Sequence, residues 1–288
     1  MKPTTTLGRW GRRARAVLKP LVYRFRSKQL YRLANFYVNA VDNDHDCDFY
    51  TNGEAEFARA RLPGAKIAFD VGAAKGGWTK IALAADPHVK VHCFEPTSRR
   101  FKILEDLKLG DRVVLNNLGL GDSAGEARIF YGASGGSNSL YPQRYNGEAY
   151  VAADVETVKI STIDNYCRER GIDWVDFIKM DIEGYEMAAI RGAEQMLRRG
   201  RIGIIQFEYS YVFLDAGTSL RAVMEYVHSI NRDYRFHKLY PDGARPIPTY
   251  DQTMDNFKTQ NWALIKTPDS AARADQPAAG FVSIRKSS

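Results

Sequence analysis

Short apolar runs alternate with helical patterns from residue 66 onward, and this alternation constrains the fold more than any other feature. Apolar runs typical of buried strands occupy five stretches: 67–72, 89–95, 113–118, 175–181 and 202–208. Helical patterns lie between or after these runs: 77–85, 98–109, 162–170, 186–199 and 219–231. Consecutive parallel strands need a crossover of this kind, and helices usually supply it. The sequence therefore predicts an α/β fold with a mostly parallel sheet covered by helices on both faces.

Two parts of the chain depart from this alternation. Strand-like runs at 127–131 and 155–160 flank a segment rich in Gly, Ser and Asn at 132–138, which predicts a hairpin or an insertion over the sheet edge. Near the end, the runs at 234–240 and 261–266 have no helical pattern between them. We therefore expect these two strands to pair antiparallel and to close the sheet.

The positive charge of the chain is concentrated at its N-terminus. The 288 residues carry a formal net charge of +7, yet residues 1–32 contain ten basic side chains and no acidic one. In residues 33–288 the 34 acidic side chains outnumber the remaining basic ones. The basic character thus belongs to an arm and not to the body, which argues against a nucleic-acid partner for the whole protein.

The same distribution suggests three parts of the chain. Residues 1–49 form a basic and partly helical N-terminal arm, residues 50–267 form the main domain, and residues 268–288 resemble a disordered tail rich in Ala, Ser, Asp and Arg. The three cysteines have no Cys-x-x-Cys spacing, and this predicts reduced thiols in a cytoplasmic protein. No apolar run approaches the roughly 18 residues of a membrane span.

The arm combines basic residues with an apolar periodicity. Apolar side chains recur at helical spacing between its arginines: Trp10, Ala14, Val17, Leu18, Leu21 and Phe25. This pattern suits a helix that lies on an anionic membrane surface, which would make the protein peripheral at the inner face of the membrane. A helix that docks on protein, or a solvated extension, is an equally open alternative.

Glycines and an acid stand where the first two predicted strands end. The turn Asp70 to Gly77 contains Gly72, Gly76 and Gly77, which let backbone approach a ligand closely, but its spacing is not Gly-x-Gly-x-x-Gly. Glu95 ends the second strand, where an acid can accept the hydroxyls of an adenosine ribose. The pattern indicates an adenosine ligand, and it leaves both a nicotinamide cofactor and S-adenosylmethionine open.

Acidic residues cluster after the two later strands. Asp181 and Glu183 follow the strand at 175–181, and Glu208 ends the next one. Carboxylates that meet at one edge of a sheet can act as general bases. A divalent metal site for Mg²⁺ is an alternative that we do not favour, since the sequence cannot show that these side chains converge.

Several of these segments together resemble the FkbM family of methyltransferases. The matching stretches are Asp70-Val71-Gly72-Ala73 with Gly76, Phe94-Glu95-Pro96, Thr162-Ile163-Asp164, the run from Asp176 to Glu186, Gln206-Phe207-Glu208, and Asn52-Gly53-Glu54. The resemblance covers about residues 50–265 and implies a Rossmann-like class I fold, a seven-stranded sheet with an antiparallel last strand. It also implies S-adenosylmethionine as the cofactor and O-methylation of a sugar, glycolipid or secondary metabolite.

The resemblance assigns roles along the chain. It implies cofactor-binding residues at the glycine turn and the following strand ends: Asp70, Gly72, Ala74 and Gly76 near the methionine end, Glu95 on the ribose, and Leu118 with its neighbours near the adenine. It implies acceptor-side residues Asp181, Glu183 and Glu208, with Asp181 or Glu208 as the base and Glu54 as an addition. The family usually has Asn where this chain has Ala74.

Three functional hypotheses therefore stand at this stage. The first is an O-methyltransferase acting on a small molecule or glycan, and the absence of Asn/Asp-Pro-Pro-Tyr favours an oxygen acceptor over a nitrogen one. The second is a module that binds S-adenosylmethionine but is catalytically impaired, because Ala74 lacks the amide of the family pattern. The third is a nicotinamide-dependent enzyme that modifies sugars.

Overall fold

A computed structural model describes residues 17–20, 22–24, 26–131, 138–141, 144–145, 148–149 and 154–267. The chain divides into two compact units, Met1–Asp44 and His45–Ser288. The first sixteen residues of the basic arm, most of the Gly/Ser/Asn-rich segment and the proposed tail at 268–288 lie outside the described residues.

In the N-terminal unit, residues 17–20 and 22–24 are helical, and the helix α1 (Lys28–Asp42) follows them. Ser27 caps its start, because the Ser27 Oγ accepts a hydrogen bond from the Leu30 amide at 3.2 Å. The helix ends at Asn43, which adopts the left-handed conformation that Asn tolerates better than most residues. None of the helix residues is buried.

The second unit is built on an eight-stranded sheet. Its strands are β1 (Ile67–Val71), β2 (Lys90–Phe94), β3 (Val113–Asn116), β10 (Val175–Met180), β11 (Ile202–Tyr209), β12 (Tyr234–Tyr240), β13 (Gly243–Ile247) and β14 (Gln260–Lys266). Their spatial order is β13-β12-β14-β11-β10-β1-β2-β3. The five strands from β3 to β11 are parallel, whereas β14 runs antiparallel between β11 and β12. This arrangement confirms the predicted α/β sheet with its antiparallel closing strand.

One strand was not predicted. The sequence indicates seven strands in the main sheet, and β13 adds an eighth by forming an antiparallel hairpin with β12. The turn of this hairpin contains Pro241-Asp242-Gly243, and Gly243 has a φ of 134° that other residues rarely adopt. The polar run after this turn carries little strand pattern, so local sequence does not predict the strand.

Helices cover both faces of the sheet. They are α2 (Glu54–Arg61), α3 (Gly77–Ala85), α4 (Ser98–Asp106), α5 (Ile163–Arg170), α6 (Glu186–Arg191), α7 (Glu194–Arg198), α8 (Val212–Asp215) and α9 (Leu220–Ile230). Adjacent residues of one strand point to opposite sides: Phe177 packs in the core beside α2 and α3, and Ile178 packs in the core beside α5 and α9. No helix in the described part of the chain is long and apolar enough to cross a membrane.

The single helix predicted over 186–199 is two helices, α6 and α7. The Asp164 carboxylate, which belongs to α5, accepts hydrogen bonds from the Gln195 and Met196 amides at 2.8 and 3.0 Å and so caps the start of α7. Gly192 lies at the break, where an added Cβ would be 1.9 Å from the Gly121 carbonyl oxygen. The long-range cap and the close backbone approach make this break, and neither is visible in local sequence.

A smaller sheet lies beyond the main one. Its strands are β4 (Gly119–Leu120), β5 (Gly125–Tyr131), β6 (Asn138–Ser139) and β9 (Asp154–Ser161), in the order β4-β9-β5-β6. The antiparallel pairing of β5 with β9 confirms the predicted hairpin or insertion. Two short strands, β7 (Arg144–Tyr145) and β8 (Glu148–Ala149), pair with each other.

Candidate active site

A cavity of about 380 Å³ opens at the carboxyl ends of β1, β2, β10 and β11. Ligands of open α/β sheets bind at this edge, because the loops that leave the strands surround a crevice there. All but two of the predicted site residues line the cavity: Glu54, Asp70, Gly72, Ala74, Glu95, Asp181, Glu183 and Glu208. The structure therefore brings the glycine turn and the acidic residues, which are more than a hundred positions apart, into one site.

Gly76 and Leu118 do not line this cavity. Gly76 faces α4 instead, since a Cβ there would lie 3.2 Å from a methyl group of Leu104. Leu118 packs against the main apolar core, while its neighbours Gly119 and Leu120 line the cavity. The adenine role assigned to Leu118 with its neighbours thus stays a prediction. Of these residues, Gly119 and Leu120 are the ones that a ligand in the cavity can contact.

The glycine turn is shaped by a close backbone contact. Gly72 has a φ of 82°, and a Cβ at this position would lie 2.0 Å from the Asp181 carbonyl oxygen. Only glycine allows the turn after β1 to approach the end of β10 so closely. Ala74 follows with a φ of 46°, which is uncommon for a residue with a side chain.

Glu95 holds the glycine turn in place. One carboxylate oxygen accepts the Ala74 amide at 3.0 Å, and the other accepts the Thr97 amide at 3.0 Å and the Thr97 hydroxyl at 2.6 Å. The oxygen that binds Ala74 has one lone pair left for a ligand hydroxyl. Glu95 can therefore serve both the turn and a ribose, as its position in the sequence predicts.

Asp70 is completely buried at the end of β1. Its Oδ2 accepts a hydrogen bond from the Thr79 hydroxyl at 2.6 Å, and its Oδ1 has no partner within the described residues. Burial raises the pKa of this carboxyl group, although the Lys179 ammonium acts to lower it. A buried acceptor atom without a partner beside an open cavity fits a ligand that donates a hydrogen bond.

Lys179 is a site residue that the sequence analysis did not assign. Its buried Nζ lies 3.2 Å from the Asp181 Oδ2. Burial by itself lowers the pKa of an ammonium group, but nearby carboxylates outweigh it and raise the pKa of Lys179: Asp181, Asp70 and Glu54. The signal available in the sequence is one lysine inside the apolar run of β10, where a buried charge needs partners.

Glu54 reaches the same cluster from the start of α2. Its carboxylate accepts hydrogen bonds from the Asn52 side-chain amide at 2.9 Å and from the Gln206 side-chain amide at 2.8 Å. Gly53 makes this approach possible, because a Cβ there would lie 2.3 Å from the Tyr240 carbonyl oxygen. Burial raises the pKa of Glu54 despite these hydrogen bonds.

Glu183 and Glu208 form the second group of carboxylates. Burial, together with the charges of Asp181 and Glu183, raises the pKa of Glu208 well above its ordinary value. Burial and the charge of Asp181 raise the pKa of Glu183 to about 8. Among the described residues, the Glu208 carboxylate has no hydrogen-bond donor. Glu208 lines the cavity, and a carboxylate with a raised pKa in such a position is suited to act as a general base.

The polar groups that line the cavity can be compared with the predicted cofactor and the alternative metal ion. Carboxylate oxygens at Asp70 and Glu95, with open backbone at the glycine turn, fit the ammonium and hydroxyl donors of S-adenosylmethionine. In the described ranges, no group of three or more His, Cys, Asp or Glu side chains is arranged to hold a metal ion. The Mg²⁺ alternative receives no support from this geometry.

The strand order and the site at the strand ends define the class of protein as a Rossmann-like α/β domain with a ligand cavity at the carboxyl ends of its parallel strands. Residues 70–236, more than half of the chain, match the methyltransferase FkbM domain, and the chain belongs to this family. This membership confirms the resemblance and the predicted class of enzyme, an S-adenosylmethionine-dependent methyltransferase. It also removes the nicotinamide-dependent alternative.

A curated relative and two solved structures share this similarity. The 2-O-methyltransferase NoeI of Sinorhizobium fredii is 29% identical over 177 residues, which are 57% of this chain and 71% of that protein. Methyltransferase FkbM from Methylobacillus flagellatus is 19% identical with a TM-score of 0.44, over 69% of this chain and 43% of that one. A putative methyltransferase from Streptococcus mutans, solved with SAH, is 12% identical with a TM-score of 0.41, over 74% and 95% of the chains.

Proposed function

We propose that this protein methylates a hydroxyl group of a sugar or of a sugar-bearing metabolite, with S-adenosylmethionine as the methyl donor. The observation that carries the proposal is the meeting of two groups in one cavity: the glycine turn with Asp70 and Glu95, and the carboxylates of Asp181, Glu183 and Glu208. The similarity to a 2-O-methyltransferase supports an oxygen acceptor. A secondary metabolite with a hydroxyl group belongs to the same chemical class.

The cofactor half of the site is assigned to the turn after β1. When bound, S-adenosylmethionine supplies an electrophilic methyl group on a sulfonium centre. In this proposal Asp70 accepts a hydrogen bond through its unpartnered Oδ1, Glu95 binds the ribose hydroxyls, and the backbone of Gly72 to Ala74 borders the methionine part. The Ala74 amide already serves Glu95, so an Asn side chain at this position is not needed to shape the turn.

The acceptor half needs a group that takes the hydroxyl proton as the new bond forms. We assign this role to Glu208, because its carboxylate has a raised pKa and no hydrogen-bond donor within the described residues. Asp181 is the other candidate, but one of its oxygens is engaged by the Lys179 ammonium at 3.2 Å. In this proposal Asp181 and Glu183 orient the acceptor through its other hydroxyl groups.

The experiment has two stages, so that binding and turnover are separated. Isothermal titration measures S-adenosylmethionine binding to the wild-type protein. Turnover is then followed by mass spectrometry on hydroxylated acceptors (methyl glycosides, oligosaccharides and small phenols), where each product gains the mass of one CH₂ group. Absence of S-adenosylmethionine binding contradicts the proposal. Binding without turnover of any hydroxylated acceptor supports the impaired binding module instead.

The base assignment is tested with Glu208→Gln. We expect the turnover number to fall by about 10²-fold or more, as for other positioned general bases, with unchanged cofactor affinity. The matched control is Glu183→Gln, which removes a neighbouring carboxylate of the same cavity and should lower turnover much less. A larger loss for Glu183→Gln, or for Asp181→Asn, would move the base to that residue.

A further inference from the structure

Helix α1 exposes an apolar face along its whole length. Leu30, Leu33, Tyr37 and Val41 follow the spacing of three and four residues that brings side chains to one side of a helix. Their side chains are 62%, 62%, 67% and 53% exposed. A contiguous apolar surface of this kind is uncommon on a soluble domain and marks a site of interaction.

The composition around this face is typical of a helix that lies in a membrane interface. The aromatic side chains of Tyr31 and Phe36 flank the apolar face and are about 70% exposed. Lys28, Arg32 and Asn35 lie on the opposite side of the helix, which is therefore polar and basic. A wide apolar face with aromatic edges and a narrow basic face suits burial to a depth of about 5–10 Å.

The charge next to α1 indicates which surface covers the face. Residues 1–32 carry ten basic side chains and no acidic one, so the net positive charge of the chain comes from the segment immediately before and at the start of α1. Anionic lipid headgroups attract such a basic segment strongly. A parallel pairing with a second copy of the chain would bring two such basic segments together, and their repulsion opposes that arrangement.

We propose that α1, with the exposed basic side chains of Arg26, Lys28 and Arg32 at its start, binds the surface of a bilayer that contains anionic lipid. In this arrangement the α1 apolar face, formed by Leu30, Leu33, Tyr37 and Val41, inserts between the acyl chains. The basic side chains contact the headgroups. The interaction does not depend on the proposed reaction, because it uses no residue of the cavity.

The test is vesicle flotation with the full-length protein. We expect the protein to float with vesicles of equal parts phosphatidylcholine and phosphatidylglycerol, and to float less with pure phosphatidylcholine or at raised salt. The variant L33S/Y37S removes apolar area without changing charge, and its affinity should fall by about tenfold or more. The matched control N35S/N39S changes the polar side of the same helix and should bind like the wild type.

Several outcomes overturn the proposal. No flotation with the anionic vesicles removes it, and equal losses for L33S/Y37S and N35S/N39S remove the role of the apolar face. Sedimentation velocity without lipid tests whether the apolar face binds a second copy of the chain instead. If the wild type is a dimer and L33S/Y37S is a monomer, the face belongs to a dimer interface. Circular dichroism and S-adenosylmethionine binding establish that each variant is folded. A loss of flotation then reflects lost membrane binding and not unfolding.

Discussion

At the scale of single residues, the cavity is organised around one buried cation. The Lys179 ammonium lies among three carboxylates, one on the glycine turn, one at the end of β10 and one at the start of α2: Asp70, Asp181 and Glu54. Asp70 and Glu54 are buried, and the Lys179 charge acts to lower the pKa of both, so these two carboxylates depend on Lys179 for compensation. The lysine thus links the cofactor half of the site to the acceptor half.

Replacing Lys179 by Met should therefore destabilise the protein strongly. Removal of the lysine leaves the buried carboxylates of Asp70 and Glu54 without their counter-charge, and breaking a buried ion pair costs about 3–5 kcal/mol. Urea denaturation monitored by circular dichroism measures the free energy of unfolding. The control is Lys80→Met, which removes an exposed lysine from α3 and should change stability by less than about 0.5 kcal/mol. Equal stability of the two variants would show that Lys179 does not compensate these charges.

At the scale of elements, the break between α6 and α7 shows how tertiary contacts override a continuous helical pattern. The pattern over 186–199 is helical throughout, and Gly192 alone gives little reason to stop. The break occurs because Asp164 caps a new helix start and because the backbone of Gly121 packs directly on Gly192. Both partners come from distant parts of the chain.

Gly192→Ala tests the close approach at this break. Gly192 has a φ of −67°, which suits any residue, so the effect of alanine is purely steric. The Cβ would lie 1.9 Å from a backbone oxygen, and we expect the free energy of unfolding to fall by about 1–3 kcal/mol or more. Chemical denaturation gives this value.

The control for this substitution is Gly77→Ala at the start of α3. There the new Cβ would meet Phe49 at an ordinary contact distance of 3.5 Å, and alanine favours the helix, so stability should be unchanged or higher. If Gly192→Ala were no more destabilising than this control, the backbone approach at Gly121 would not fix the path of α6 and α7.

At the scale of the whole molecule, the acidic site makes stability depend on pH. Burial raises the pKa of Glu186 to about 7, and the carboxyl oxygen Oε2 of this residue is buried without a partner in the described structure. Glu183, beside it, has a pKa of about 8. Both carboxyl groups are protonated more readily in the folded chain than in the unfolded one.

The folded protein should therefore lose stability as pH rises. A carboxyl group with a raised pKa contributes its stability fully below the unfolded value near 4.5, and the contribution is lost as pH rises through 7 to 8. For Glu186 the loss is on the order of 3 kcal/mol. Melting temperatures of the ligand-free protein between pH 5.5 and about 8.5 follow the part of this loss that falls above pH 5.5.

Glu186→Gln provides the comparison for this pH dependence. The amide keeps the size of the side chain and cannot ionise, so the variant should be less sensitive to alkaline pH than the wild type. His92 acts in the opposite direction, because burial lowers its pKa to about 4 and its contribution is lost as pH falls from about 6.5 to 4. A wild-type protein that is more stable at pH 8.5 than at pH 5.5 would contradict the prediction.

Most of the sheet was predictable from sequence, and the reason is local. Buried parallel strands such as 175–180 need unbroken apolar runs, and the crossovers between them need helices of sufficient length. The order of strands and helices can therefore be predicted from local patterns in the sequence. The positions of Asp70, Glu95 and Asp181 at strand ends follow from the same pattern. The eighth strand, β13, was not predicted, because an exposed edge strand needs no apolar run.

Which of these residues act on one another depends on the tertiary structure. Strand ends converge because parallel strands pair side by side, and this pairing places Lys179 among carboxylates from three separate segments. Burial and like charge then set the proton affinities of Glu183 and Glu208, and neither effect has a local sequence signal. The sequence determined the fold class, the family and most of the candidate residues. Folding decided their chemistry, because a pKa depends on the distances and burial that arise only when distant segments meet.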